Sequence, residues 1–83
     1  MIWKVYAAKD ELTGRYKYPT FYSYEHGEEE AKRDFTSQVN STQMWKDNPA
    51  DFSLHKLAEF NDETGEYLNT NELICNGRAV LNV

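Results

Sequence analysis

The stretch Arg15-Tyr16-Lys17-Tyr18-Pro19-Thr20-Phe21-Tyr22-Ser23-Tyr24 sets cations and aromatic rings side by side. That mixture suits a single-stranded nucleic acid, whose bases stack on aromatic faces while cations track its phosphates. Stacking is worth about 1–3 kcal/mol per base, so a few exposed tyrosines matter even where positive charge is modest. Read as a strand, one face carries Tyr16, Tyr18, Tyr22 and Tyr24, and the other carries Arg15, Lys17 and Phe21. Lys4 and Tyr6, on the strand before it, extend the same surface. The candidate nucleic-acid-binding set is therefore Lys4, Tyr6, Arg15, Tyr16, Lys17 and Tyr18. The same rings would serve equally in a core or a dimer interface, and a kink at Pro19 would exchange the faces.

Other chemistry finds less support. Cys75 and His55 could pair as nucleophile and base, but Cys75 precedes an Asn-Gly turn signal among apolar neighbours, the setting of a structural thiol. His26 and His55 have no partner at metal-ligand spacing, and there is no glycine-rich phosphate loop. Asn40-Ser41-Thr42 is a glycosylation sequon, meaningless without a secretory signal. No active site, metal or cofactor is expected.

Elements that could position the candidate set follow from periodicity. Ile2–Ala8 alternates, with Trp3, Val5 and Ala7 on one side and Lys4 and Tyr6 on the other. Lys9–Gly14 predicts a turn, and Arg15–Tyr24 predicts a returning strand that Pro19 confines to an edge. Ala31, Phe35 and Val39 form the apolar stripe of a helix over Glu28–Asn40, with Glu28, Glu29 and Glu30 at its positive end. Pro49 ends a loop that holds one helical turn around Met44-Trp45. Phe52–Phe60 alternates again, with Phe52, Leu54, Ala58 and Phe60 on one side. Asn61–Gly65 repeats the chemistry of the first turn, and Tyr67-Leu68 starts the return. Asn76-Gly77 among apolar residues predicts a further C-terminal hairpin. The expected fold is α+β: one domain over 1–83, β-β-α-β-β, a small antiparallel sheet with one helix on one face. The other face must meet water, a partner or a ligand.

Composition bounds the function. The 83 residues carry a net charge of −5, which argues against a polyanion, but the charge is uneven. Residues 1–24 hold four bases against two acids and seven of the twelve aromatics, whereas 25–83 hold five bases against twelve acids. One cysteine excludes an internal disulfide, and no apolar run approaches the ~20 residues of a membrane span. A cytosolic chain with a small core is expected, one that gains burial as a two-fold homodimer.

The order of motifs resembles the small non-structural or DNA-binding protein of gokushoviruses, single-stranded DNA phages of the microvirus group. The resemblance rests on Ile2-Trp3-Lys4-Val5-Tyr6, on Pro19-Thr20-Phe21, on Ala31-Lys32-Arg33-Asp34-Phe35 with Val39-Asn40, and above all on Pro49-Ala50-Asp51-Phe52-Ser53-Leu54 running on to Phe60-Asn61-Asp62. It fades after Gly65. It implies a non-enzymatic single-stranded DNA-binding protein acting in genome replication or packaging, in the host bacterial cytoplasm. The alternative is a protein-interaction module whose partners are phage or host proteins, suggested by the net acidity.

Overall fold

Asp10 and Asn61 begin two turns of the same design, and those turns set the frame of the sheet. In the computed structural model, which describes residues 1–82, each side chain accepts the amide N–H groups two and three residues ahead. Each turn closes at a glycine, Gly14 or Gly65, whose φ of 74° or 77° is costly for any residue with a Cβ. These turns join β1 (Ile2–Asp10) to β2 (Arg15–Ser23) and β3 (Phe52–Asn61) to β4 (Tyr67–Asn76). The four strands form one antiparallel sheet in the order β2-β1-β3-β4. Pro19 does lie on an edge strand, where a missing donor costs no ladder bond.

The helix α1 (Gly27–Ser41) buries Ala31, Phe35 and Val39 against the sheet, as its stripe predicts. The short α2 (Gln43–Asp47) follows and buries Trp45; a 3-10 turn at Pro49–Asp51 leads into β3. Tyr6, Ala8, Phe52 and Leu54 meet these helices to form the core. Trp45 lies between Phe35 and Phe52, stacked on the latter at 4.2 Å and 7°. The α+β class with its helices on one face is thus observed.

One expectation fails. Asn76-Gly77 forms no hairpin; it starts the helical turn α3 (Gly77–Val80). Asparagine is also a favoured N-cap, and the Asn76 side chain accepts from the Arg78 amide while donating to Ala50 O and Ser53 Oγ. Gly77 is buried so closely on the Pro49 carbonyl oxygen that no Cβ would fit. Asn40 then ties α3 to α1 by donating to Val80 O.

Face assignments change as well, because the strands are bulged. The β1–β3 register shifts between Val5 and Tyr6, so Phe52 and Leu54 face the helices while Ala58 and Phe60 face the other way. The β1–β2 register shifts opposite Ala7, where Tyr18 takes φ 58° beside Pro19. That bulge parts Tyr16 from Tyr18 and Tyr22.

Candidate functional site

Tyr6 belongs to the core. Its ring is 1% exposed, edge-on to Tyr22 at 5.9 Å, and it offers no face to a base. Burial pushes its hydroxyl up to about 12, with Glu28, Glu72 and Glu59 adding to the shift. Its strand neighbour Lys4 lies on the same helix-bearing side, its ammonium 4.6 Å from the centre of the Tyr24 ring. The proposed extension of the surface onto Lys4 and Tyr6 is therefore corrected: both lie behind the sheet.

The uncovered face is built from Trp3, Val5, Ala7 and Lys9 of β1 with their cross-strand partners. Phe21 pairs with Val5, and Tyr16 with Lys9. Phe21 is 46% exposed and meets Phe60 edge-on at 5.8 Å; Phe60 in turn meets Tyr67 at 4.7 Å. Three strands thus contribute one aromatic stripe. Phe60 and Tyr67 were missed as candidates because the pattern of β3 concealed its bulge, and Trp3 because it lies on the side of β1 opposite Lys4 and Tyr6.

Tyr16 sits at the other end of this face, held in a polar network. Asn71 donates to its hydroxyl at 2.9 Å, and the Asn71 carbonyl oxygen lies 3.0 Å from His55 Nδ1. That contact needs the proton on Nδ1, which leaves the buried Nε2 without a hydrogen-bond partner among the described residues, 3.7 Å from the Glu11 carboxylate. His55 also meets the Tyr16 ring edge-on at 5.7 Å, and the Lys9 ammonium lies 5.6 Å from its centre. Tyr16 is therefore fixed in place while still 38% exposed.

Charge is polarised along the 42 Å long axis. The register places the first turn beside the start of β3, so Lys9, Arg15 and Lys17 lie at that end with Asp10 and Glu11. The opposite end holds the second turn, with Asp62, Glu63 and Glu66. It also holds the acidic start of α1, since Gly27 packs on Lys4 and Tyr22. Lys9, Lys32 and Lys56 are drawn into ion pairs with glutamates. Arg15, Lys17, Arg33 and Lys46 make none among the described residues.

Of the six candidates, Arg15, Tyr16 and Lys17 share the basic end of β2, but only Tyr16 is on the open face: Arg15 and Lys17 pair with Asp10 and Ala8 on the helix-bearing side, where Tyr18 also turns and faces Trp45 at 6.4 Å. Cys75 is half-buried, and burial pushes its thiol up, away from the reactive thiolate. Among the described residues, no group of three or more His, Cys, Asp or Glu could hold a metal ion, and no helix is long and apolar enough to cross a membrane.

No curated protein and no solved structure matches this sequence. A family model described as Phage ORF5 protein matches residues 3–80, from the first core strand through α3. The chain belongs to the Phage ORF5 protein family, and so is a bacteriophage protein.

Proposed function

We propose that this phage protein binds single-stranded DNA, without catalysing a reaction on it, across the uncovered face of the sheet from the basic end of β2. One observation carries this reading: exposed Tyr16 and Phe21 lie on the open face of an edge strand whose Arg15 and Lys17, on the helix-bearing side of the same edge, make no ion pair among the described residues. Rings can stack on bases on that face while the cations meet phosphates around the free edge of β2. The acidic start of α1 and the second turn lie at the far end, so the net charge of −5 does not fall on this surface. Lys9, Arg15 and Lys17 set the scale of phosphate contact at about two to four per chain.

The gokushovirus-type role carries over to this reading as DNA binding during genome replication or packaging in the host cytoplasm. A homodimer would join two such surfaces and raise avidity without new contacts. Exposed Tyr67, Leu68 and Leu73 of β4 supply the apolar area for it.

Titrating a short oligothymidylate into the protein at ~50 mM salt, and watching the tryptophan emission to which Trp3 on the open face contributes, tests the proposal. Binding that weakens as salt rises supports it. Absence of binding at that salt overturns it and favours a protein partner for the acidic end.

A further inference from the structure

The sheet ends in two free edges, β2 and β4, and they are built differently. β2 is guarded against pairing: Pro19 lacks a donor, the bulge at Tyr18 bends the strand, and Arg15 and Lys17 add charge. β4 has no proline and no base, and its one charge is Glu72. All seven of its residues from Tyr67 to Leu73 are exposed. Its register with β3 shifts opposite Leu57, yet its own side chains keep alternating. Tyr67, Asn69 and Leu73 pair with open-face residues, and Asn71 reaches Tyr16 and His55 there. Leu68 and Glu72 pair with Glu59 and Lys56 on the helix-bearing side. The result is a regular edge of about 24 Å whose free N–H and C=O groups form a template for another strand.

A second copy of the chain fits that edge by charge. The basic end of the molecule lies at the close of β4 and the acidic second turn at its start. Antiparallel pairing therefore sets the basic end of one copy beside the acidic end of the other. Arg78, just past β4 and without an ion pair among the described residues, then lies at the end that meets Glu63 and Glu66 of the second copy. A two-fold axis normal to the sheet keeps opposed residues on one face, so it must pass midway between one residue of β4 and the same residue of the copy. At Glu72 the axis would set like charges face to face. At Thr70 it pairs all seven exposed residues among themselves, Tyr67 with Leu73 on the open face and Leu68 with Glu72 on the other.

We propose that two copies of this chain pair through β4, antiparallel about a two-fold axis at Thr70, into one eight-stranded sheet. This gives the homodimer its interface and does not depend on single-strand binding. Both open faces then lie on one side, where the Phe21, Phe60 and Tyr67 stripe of each copy continues onto Leu73 of the other. Only the guarded β2 edges remain free.

The test follows the full chain by sedimentation equilibrium from about 1 to 100 μM, where a monomer–dimer equilibrium is expected. Position 68, 64% exposed, reads the register, because it faces Glu72 of the second copy twice per dimer. Leu68→Glu should dimerise about tenfold more weakly than Leu68→Lys, and high salt should close that gap. Thr70→Cys, made with Cys75→Ser, should crosslink to its own copy under diamide. Directly opposed residues have Cα atoms about 4.5–5.5 Å apart, which is within disulfide range. Asn69→Cys in the same background is displaced diagonally from its copy and should not crosslink. A monomer at every concentration, equal dimerisation of the two Leu68 variants, or no crosslink at position 70 would overturn the proposal. Oligothymidylate keeps the two readings apart. A monomer that binds it ends the β4 dimer alone, and a β4 dimer that ignores it ends the open-face reading alone.

Discussion

Tyr6→Phe separates a core role from a binding role at one atom. The ring is 1% exposed and its buried hydroxyl has no hydrogen-bond partner among the described residues. A buried polar group without a partner costs about 1–3 kcal/mol, and removing it returns that cost. The void left by one oxygen takes back only a few tenths, at about 24 cal/mol per Å³. The net expectation is a gain of about 1 kcal/mol. In a chain of this size that is a rise of about 4–8 °C in Tm. Tyr6→Ala removes the whole ring from the core and should cost about 3–5 kcal/mol. Urea denaturation followed through Trp45 emission measures both. Affinity of folded Tyr6→Phe for oligothymidylate should match that of the parent. A loss of ~1 kcal/mol or more in Tyr6→Phe would refute the reasoning, because it would show the hydroxyl to be satisfied.

Other outcomes follow from the same geometry. Tyr6 and Tyr22 both have hydroxyls pushed up to about 12 by burial, against 10 in the unfolded chain. Their contribution to stability is thus complete below pH 10 and is lost as pH rises through about 12, and Tyr6→Phe should blunt that loss in an alkaline denaturation series. Gly77→Ala should cost about 1–3 kcal/mol in urea, because the Pro49 carbonyl that its Cβ would strike is backbone. Arg15→Ala and Lys17→Ala should each flatten the logarithmic salt slope of oligothymidylate binding by about 0.7, whereas Phe21→Ala should weaken binding by about 1–3 kcal/mol at unchanged slope. Sedimentation at micromolar concentration should report a dimer; a monomer alone would remove avidity from the account.

The strands, the main helix and both turns were legible because each depends on local chemistry. The Ala31-Phe35-Val39 stripe and the Thr-Gly turn ends left little choice. What stayed hidden was the bulges. A period-two reading of β3 put Phe52 and Phe60 on one face, and a shift of register near Leu57 placed them on opposite faces. The same physics divided the tyrosines of β2, where a break at Pro19 was anticipated but its geometry was not. Tyr6 was misread for a different reason: tyrosine serves core and surface alike, and only the position of α1 decides between them. Asn76-Gly77 carried two local meanings, hairpin turn and helix cap, and the packing of Gly77 on Pro49 chose the second.

The central claim is that a single strand lies on the open face of the sheet, at the basic end of β2. Backbone amide shifts measured by NMR during an oligothymidylate titration at ~50 mM salt test it most directly. The account predicts the largest changes in β1 and β2, from Lys9 through Tyr16 and Lys17 to Phe21, with smaller ones at Phe60 and none at Glu28–Glu30. A spectrum left unchanged at saturating oligonucleotide, or changes confined to α1 and the second turn, would contradict it.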